Sequence, residues 1–535
     1  MLLQEFKSTL QEYLQLEKSF IQQDIVVHES LPREEKVISG YLVPSAIVSM
    51  AMGDTYELMV SDNFSKFRTG DKVLLVNSHK KLDATIIENL PNYISLEVRE
   101  RLFEGEIFDI LIKEAVMLDP IIQLIDKIED NMSGAFYINQ LCANESPITY
   151  SNETINLNSP DFTRFNTQQA EAIKNVLQQP SLYCIQGPPG TGKTDVLAFI
   201  AKTCSDDYKN VLVISNTHQA VNNALNQVSS YGVPTFKIGE ALKALDLNDR
   251  VKQIRDYKEH KAQRGRRRLY NKGEVIGMTL HRAVVELGLK RCGFYPDIIL
   301  VDEAGQIPLS FGATLGMLGS GSIVLIGDDR QMPPIFHPSL SMHELSTSVF
   351  THVSELYPSY KTVLDTTYRM DSNITAYVSK YFYEPYGIKL TSNRVPKDNN
   401  SVEIVSISNN QAMWQEYNPE EAEYVAKRAL EYSTCGCSVA VITPFRKQVN
   451  CIKSYIKTVY ENANLIEHIP IVDTVERLQG QSVDVIIISM SVNDRDYYYA
   501  TKSFILDPHR LNVMFSRAKE KVVLIKSDMV ELPTL

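Results

Sequence analysis

The chain has 535 residues, with 54 Lys+Arg against 65 Asp+Glu and a formal net charge of −11 at pH 7. Hydrophobic residues make up 44% and charged residues 22%, with 24 Gly and 23 Pro, a balance that excludes fibrous, collagen-like and disordered classes. Seven cysteines without a pair of C-x-x-C elements exclude a disulfide scaffold and a zinc ribbon. No apolar run approaches the roughly 18–20 residues of a membrane span. The N-terminus MLLQEFKSTLQEYLQLEKSF lacks the apolar segment of a signal peptide. A cytoplasmic protein with no membrane partner is the expectation. At roughly 100–200 residues per domain, the length implies several domains.

Leu3, Phe6, Leu10, Tyr13, Leu14 and Phe20 recur at helical steps, so residues 1–35 read as an N-terminal helical stalk. From 36 to 105 short β-rich runs such as TYELMV, KVLLV and YISLEV alternate with turn residues, the texture of a small β-barrel. Residues 106–160 read as a second stalk helix over FDILIKEAVMLDPIIQLIDKIED, followed by the linker ITYSNETINLNSPDF. Beyond it the rhythm becomes strand–turn–helix. SLYCIQG, NVLVIS, EVIGMT, DIILVDE and SIVLIG lead, and after a pause near Leu364 come VEIVSI, SVAVITP, DVIIISM and KVVLIKS. Short, fully apolar strands between helices belong to parallel sheets covered on both faces. The fold class is therefore α/β, with two tandem parallel-sheet P-loop domains over 161–360 and 361–535. A basic insertion at about 240–273 interrupts the first. Its stretch Arg250–Lys272 carries ten Lys/Arg against Asp256 and Glu259 and is compatible with a helix.

The segment Gly187, Pro188, Pro189, Gly190, Thr191, Gly192, Lys193, Thr194 follows a strand and opens a helix, the context that G-x-x-x-x-G-K-[ST] requires. Glycines let backbone N–H groups close around phosphate oxygens at a helix N-terminus. Lys193 would hold the β- and γ-phosphates and the Thr194 hydroxyl would ligate Mg²⁺. Asp302 and Glu303 end the strand IILV: Asp302 would hold Mg²⁺ through its water shell, and Glu303 would orient and deprotonate the attacking water. ATP and Mg²⁺ are the implied cofactors. Phosphoryl transfer also needs positive charge at the γ-phosphate. Arg369 in LDTTYRM and Arg517 in NVMFSRAK are candidates that reach a nucleotide only across a cleft between the two domains.

The ordered set FNTQQAEAI, GPPGTGKT, VLVISNTHQAVNNA, VIGMTLHRA, ILVDEAGQ, VLIGDDRQMPP, LDTTYRM, VAVITPFRKQ, VDTVERLQGQSVDVIIIS and LNVMFSRAKEKVVLI resembles a superfamily 1 helicase. The likeness is to the 1B branch, which includes the nonsense-mediated-decay and Okazaki-fragment-processing helicases, over residues 162–526. The resemblance implies two RecA-like domains and an ATP-driven, 5′-to-3′ single-strand translocase or helicase. It further implies that Gln169 reads the adenine edge, Gln331 senses the γ-phosphate, and Tyr368 packs on the base or ribose. Arg369 and Arg517 become arginine fingers, and Gly480 joins the nucleotide site. Thr217, Thr279, Pro444 and Thr474 fall in segments that touch the nucleic-acid backbone in the family. Where the family has a basic residue and Glu after its Gln-Gly, this chain has Gln481 and Ser482. Single-stranded DNA or RNA is the expected partner, with Arg264, Arg266, Arg267 and Arg268 of the insertion lining the channel rim. The alternative is an ATP-gated clamp or switch subunit of a larger complex that binds nucleic acid or a protein and unwinds nothing.

Overall fold

In the computed structural model, the described residues run from 3 to 532, apart from 62, 64, 91, 115, 151–161, 256, 259–272, 320, 398–399, 408–415, 479–481 and 493. Helix Leu3–Ser30 buries Phe6, Leu10, Tyr13 and Leu14, and these join the same apolar cluster as Ile276, Leu325 and Phe350 of the first sheet domain. The helix is thus pinned along the first domain. Its Tyr13 hydroxyl lies 3.1 Å from Ser346 Oγ, and Phe20 stacks on His337 with ring centres 4.7 Å apart.

The expected barrel is present and closed: Leu42–Met52, Thr55–Met59, Tyr93–Val98, Lys81–Asn89, Lys72–Val76 and Ile107–Ile112 follow one another around it. Alternate side chains such as Val73, Leu75, Leu96, Phe108 and Ile110 fill its interior, the period-2 pattern of a strand with one wet face. Two details depart from the sequence reading. Ile107–Ile112, expected to open the second stalk helix, is the strand that closes the barrel against Leu42–Met52 and Lys72–Val76. Short apolar runs fit helix and strand periods alike, and here Phe108 and Ile110 alternate inward. Helix resumes only at Asp119–Ile125 and Met132–Leu141. At the other end, Val37 and Ile38 belong to helix Arg33–Ile38, and the first strand starts at Leu42.

Among the described residues the first α/β domain carries an eight-stranded sheet. Its order is Val251–Ile254, Thr235–Ile238, Val275–Thr279, Val211–Ser215, Ile298–Val301, Ser322–Gly327, Leu182–Gln186, Lys361–Val363, and every neighbouring pair is parallel. Leu182–Gln186, Val211–Ser215, Ile298–Val301 and Ser322–Gly327 are buried throughout, as strands covered on both faces must be. Two assignments change. Val251–Ile254, read as helix-compatible, adds an edge strand whose Lys252 and Gln253 face solvent, and charged side chains are what an exposed edge tolerates. Lys361–Val363 pairs with Leu182–Gln186, so the first sheet extends past 360. Arg264, Arg266, Arg267 and Arg268 lie outside the described residues, as does Gly480.

The second domain has a five-stranded parallel sheet, ordered Val402–Ile407, Ala518–Ser527, Val483–Ser489, Val439–Thr443, Ile471–Thr474. The parallel pair Thr366–Asp371 and Thr391–Arg394 lies beside it. The fold class is α/β with two RecA-like parallel-sheet domains, as read from the sequence. Because helix Leu3–Ser30 is part of the first domain's core, Leu10→Ala should destabilise the protein by about 3 kcal/mol, since Leu10 is fully buried and such truncations leave cavities. Thermal unfolding of the full chain measures this, and an unchanged Tm would show that the helix is not integral to the domain.

Candidate functional site

All the nucleotide-directed segments emerge at the carboxyl ends of the first sheet's strands, where open α/β sheets bind ligands. One strand, Ser322–Gly327, separates Leu182–Gln186 from Ile298–Val301, setting the phosphate loop and Asp302-Glu303 one strand apart across the sheet edge. A cleft of about 1370 Å³ opens there, lined by Gly190, Thr191, Gly192, Lys193, Thr194, Asp302, Glu303, Gln331, Tyr368, Arg369 and Arg517, among others. Residues from both domains therefore share one wall.

Backbone conformation explains why the loop needs glycine. Gly190 and Gly192 have φ of 75° and 80°, a region that glycine alone enters freely. A Cβ on Gly190 would sit 2.5 Å from both Arg369 Cβ and Thr367 Oγ1, and one on Gly192 2.6 Å from Gln169 Nε2. The second domain consequently lies directly on the phosphate loop. Thr367 Oγ1 donates to the Pro189 carbonyl at 2.9 Å, and the Tyr368 N–H to the Gly190 carbonyl at 2.8 Å. Those bonds engage carbonyls, leaving the loop's N–H face for phosphate. Lys193 Nζ is hydrogen-bonded to the Gly187 carbonyl, at the position from which it would swing to a phosphate.

Gln169 lines the cleft beside the phosphate loop. It forms a capping box with Asn166 at the start of helix Thr167–Leu177. Its Nε2 donates to the Thr191 carbonyl at 2.9 Å, and its Oε1 accepts from the Asn166 N–H at 3.1 Å. Gln169 thus braces the phosphate loop, with one N–H and one lone pair left for a base edge. Asn166 also reaches across the domains, donating from Nδ2 to the Tyr368 hydroxyl at 3.0 Å. Tyr368 remains 39% exposed, which leaves its ring free to cover a base.

Asp302 is buried and accepts the Glu303 N–H at 3.0 Å. Burial, and next the Glu303 charge, push its carboxyl up to about 7, against the pull of Lys193. Glu303 itself adopts φ 53° and ψ 39°, a left-handed backbone that costs a non-glycine residue about 1–3 kcal/mol. Such strain is held at sites where a side chain must be aimed. Gln306 Nε2 donates to Glu303 Oε2 at 3.1 Å, fixing that aim. Thr194 Oγ1 and Asp302 are hard oxygen donors, and two protein ligands completed by phosphates and waters suit Mg²⁺. No group of three His, Cys, Asp or Glu among the described residues would hold a metal unaided.

Opposite stand Arg369 and Arg517. Arg517 is 4% exposed, its Nε has no hydrogen-bond partner, and burial, with the Arg369 charge next, pushes it down to about 9. Arg369 donates to the Ser516 carbonyl at 3.1 Å and is lowered by burial against the attraction of Glu303. Two guanidiniums desolvated side by side, one with an orphaned N–H, fit a polyphosphate. Gln331 is buried too, with Nε2 donating to Asp328 Oδ2 at 2.7 Å.

A second cationic region continues from this cleft to the barrel. The barrel loop around residues 65–71 presents main-chain carbonyls to both domains. Arg446 donates to the Ser65 carbonyl at 3.0 Å, Arg477 to Lys66 at 2.8 Å, and Lys243 of the first domain to Thr69 at 2.5 Å. Lys66, Arg446 and Arg477 are each lowered first by burial. Arg446 and Arg477 add to this at Lys66, Arg68 does so at Arg446, and Arg446 and Arg68 do so at Arg477, while Asp473 pulls both arginines the other way. Arg68, Thr69, Lys243, Arg477, Thr217 and Thr279 all line the shared cleft. Pro444 and Thr474 do not. They stand where the neighbouring strands Val439–Thr443 and Ile471–Thr474 end side by side, both buried. Ser482 lines the cleft without a carboxylate. The sequence reading missed Arg68, Lys243, Arg446, Arg477 and Thr367. Arg446 and Arg477 lie inside segments quoted for the family likeness, but nothing in the sequence shows that a barrel loop meets them.

The comparisons with known proteins follow this geometry. One model described as an AAA domain matches residues 164–345 and another, also an AAA domain, residues 345–528. A DNA replication ATP-dependent helicase/nuclease of Arabidopsis thaliana is 24% identical over 545 residues, covering 90% of this chain and 39% of its own length. The ATP-dependent helicase NAM7 of Saccharomyces cerevisiae is 26% identical over 421 residues, covering 68% of this chain and 42% of its own. Both halves of the α/β core thus match AAA-domain models, and these relatives are named as ATP-dependent helicases. The counterpart helicase/nuclease of Gallus gallus is 28% identical over 382 residues, 67% of this chain and 36% of its own. The chain spans about 40% of the length of these curated relatives. Among solved structures, the arterivirus nonstructural protein 10 helicase has a TM-score of 0.44 at 12% identity, covering 93% of this chain and 80% of that one.

The raised Asp302 carboxyl has a stability consequence. The folded state holds a proton there that the unfolded chain releases near pH 4, so the contribution of Asp302 to stability declines as pH rises from about 4 to about 7. Asp302→Asn should raise the Tm of the nucleotide-free protein by about 3 °C or more at pH 8 and by much less at pH 5. An equal effect at both values would mean that Asp302 is not proton-bound in the fold.

Proposed function

We propose that this chain is an ATP-dependent nucleic-acid translocase and helicase that hydrolyses ATP with Mg²⁺ in the cleft between its two RecA-like domains. The observation that carries the proposal is the pair of desolvated guanidiniums, Arg369 and Arg517, brought by the second domain to the phosphate loop and Glu303 of the first. Positive charge without a matching carboxylate lowers the barrier when an anion with building charge lies between the domains. Thr194 and Asp302 would hold Mg²⁺, which would supply electrostatic stabilisation of the phosphoryl group. Lys193 binds the phosphates. Glu303, aimed by its left-handed backbone, accepts the proton of the attacking water, and Gln331 contacts the γ-phosphate. Tyr368 covers the base while Gln169 keeps the loop in shape.

Because both arginines come from the second domain, hydrolysis occurs only in the closed cleft, which ties chemistry to domain movement. The polymer tracks through the cationic wall formed by Arg68, Lys243, Arg446 and Arg477, with Thr217 and Thr279 on the first domain's side. Hydroxyls, amides and cations of this kind grip a sugar–phosphate backbone without reading bases. The basic segment with Arg264, Arg266, Arg267 and Arg268, outside the described residues, supplies further cations for the polymer, and the direction is 5′-to-3′ by likeness to the 1B branch.

The test is ATP hydrolysis with and without single-stranded DNA or RNA. One polymer should stimulate turnover, and Glu303→Gln should lower it about a hundredfold or more while ATP still binds. Strand displacement that requires Glu303 separates the helicase from a clamp, which would show ATP-dependent binding only. Turnover indifferent to both polymers overturns the motor reading. Separately, Arg68→Ala should weaken single-strand binding and reduce the slope of log affinity against log salt by about 0.7. An unchanged slope removes Arg68 from the track.

A further inference from the structure

A buried polar chain runs from Gln331 of the cleft to Asp328, Tyr383 and Asn512, three residues that none of the roles above uses. Asp328 follows strand Ser322–Gly327 and is 3% exposed. Its Oδ2 accepts from Gln331 Nε2 at 2.7 Å and from the Tyr383 hydroxyl at 2.6 Å. Its Oδ1 accepts the Arg330 N–H at 3.1 Å. The Tyr383 hydroxyl in turn accepts from Asn512 Nδ2 at 2.9 Å, and the same Nδ2 donates to the Arg330 carbonyl at 2.8 Å. Asp328, Arg330 and Gln331 belong to the first domain. Tyr383 is packed in the core of the second. Asn512 lies on helix Pro508–Phe515, just ahead of Arg517. The hydrogen bonds of Tyr383 and Asn512 to Asp328 and Arg330 therefore exist only while the two domains are together.

We infer that Tyr383 and Asn512 are positioning residues that set the side-chain orientation of Gln331 through Asp328 when the domains close, so that Gln331 is competent for hydrolysis only in the closed cleft. The chemistry of the donors dictates this. An ionised carboxylate only accepts, so the Gln331 amide must turn its nitrogen toward Asp328, leaving its second N–H to point elsewhere. Asp328 can hold that amide only if its own plane is fixed. The Tyr383 hydroxyl fixes it from across the cleft, and Asn512 directs that hydroxyl by donating to it, which leaves the phenol proton for Asp328. A domain that withdraws takes the Tyr383 hydroxyl away and leaves Asp328 held at Oδ1 by the Arg330 N–H, with Oδ2 and the Gln331 amide no longer fixed from across the cleft. Buried hydrogen bonds to a charged group are the strong kind, so the switch between ordered and disordered Gln331 is steep. Arg330, whose guanidinium lies 3.5 Å from the ring centre of Tyr386, makes a further contact across the same seam. This inference rests on the reading of Gln331 as the γ-phosphate contact.

The experiment is steady-state ATP hydrolysis by the full chain at saturating polymer, with Tyr383→Phe, Gln331→Ala and the double variant. Tyr383→Phe removes one oxygen and keeps the ring in its core position. It should lower kcat about tenfold while leaving KM for ATP within about twofold, because the nucleotide's binding contacts are intact. In the Gln331→Ala background the same substitution should change kcat by less than about twofold, since the side chain it orients is gone. Asn512→Ala, which leaves the Tyr383–Asp328 bond possible but undirected, should give a smaller loss that is likewise absent in Gln331→Ala, and it serves if Tyr383→Phe does not fold. Normal kcat in Tyr383→Phe beside a crippled Gln331→Ala overturns the link between them, as do losses that multiply in the double variant. Normal kcat in Gln331→Ala itself overturns the γ-phosphate reading of that residue, a failure seen without reference to Tyr383.

Discussion

Two guanidiniums held out of water next to each other, with only a carbonyl and a facing Glu303 to offset them, are the constraint around which the cleft is organised. A charge of this sort is retained in a fold only when something compensates it. Among the described groups Arg517 keeps an unpartnered Nε, and Arg369 spends one N–H on the Ser516 carbonyl. The remaining compensation has to come from an anion that enters. Binding of such an anion stabilises the state in which both domains touch it, by mass action. Closure of the cleft and occupation of the phosphate loop are thereby one equilibrium.

The rest of the interface follows from the need to bring those charges to the loop without blocking it. The second domain approaches through main-chain geometry: Thr367 and the Tyr368 N–H bond the outer carbonyls of Pro189 and Gly190, and Gly190 has no Cβ because Arg369 fills that space. A single extra carbon there would part the domains. Gln169 supports the loop from beneath in the same manner, through the Thr191 carbonyl. The inner N–H groups, which alone can bind phosphate oxygens, stay uncommitted to either brace. Among the described residues lining the cleft, Glu303 is the non-glycine residue held in the left-handed region.

Much of this was legible in the residues themselves. Fully apolar strands such as VLVIS and SIVLIG admit only a two-sided parallel sheet, and GPPGTGKT between a strand and a helix specifies its own chemistry. Where the reading failed, the period was ambiguous or the partner distant in sequence. FDILI satisfies helical and strand spacing alike, and only the barrel's inward-facing Phe108 and Ile110 decide for strand. VKQI is too short and too charged to declare itself a strand except by pairing with Thr235–Ile238. The capping box that Gln169 forms with Asn166, and its bond to the Thr191 carbonyl, depend on a loop that the local pattern does not place. Arg446 and Arg477 stood inside recognisable segments, yet their partners at Ser65 and Lys66 lie 381 and 411 residues away. No local pattern encodes such a contact.

That distant contact also has a physical consequence. The barrel is joined to both moving domains through carbonyl oxygens of one loop: Lys243 holds Thr69 from the first domain, and Arg446 and Arg477 hold Ser65 and Lys66 from the second. Domains that change their separation cannot keep all three bonds at hydrogen-bonding distance, because the loop is bound into a closed barrel and does not stretch. The donors are cations, and a neutral carbonyl is their weaker acceptor. A phosphate oxygen in the same position would form the shorter, charge-assisted bond and offset the neighbouring cationic charge that adds to burial in holding Lys66, Arg446 and Arg477 below their ordinary values. Barrel carbonyls and a polyanion are thus alternative acceptors for the same three cations, Lys243, Arg446 and Arg477.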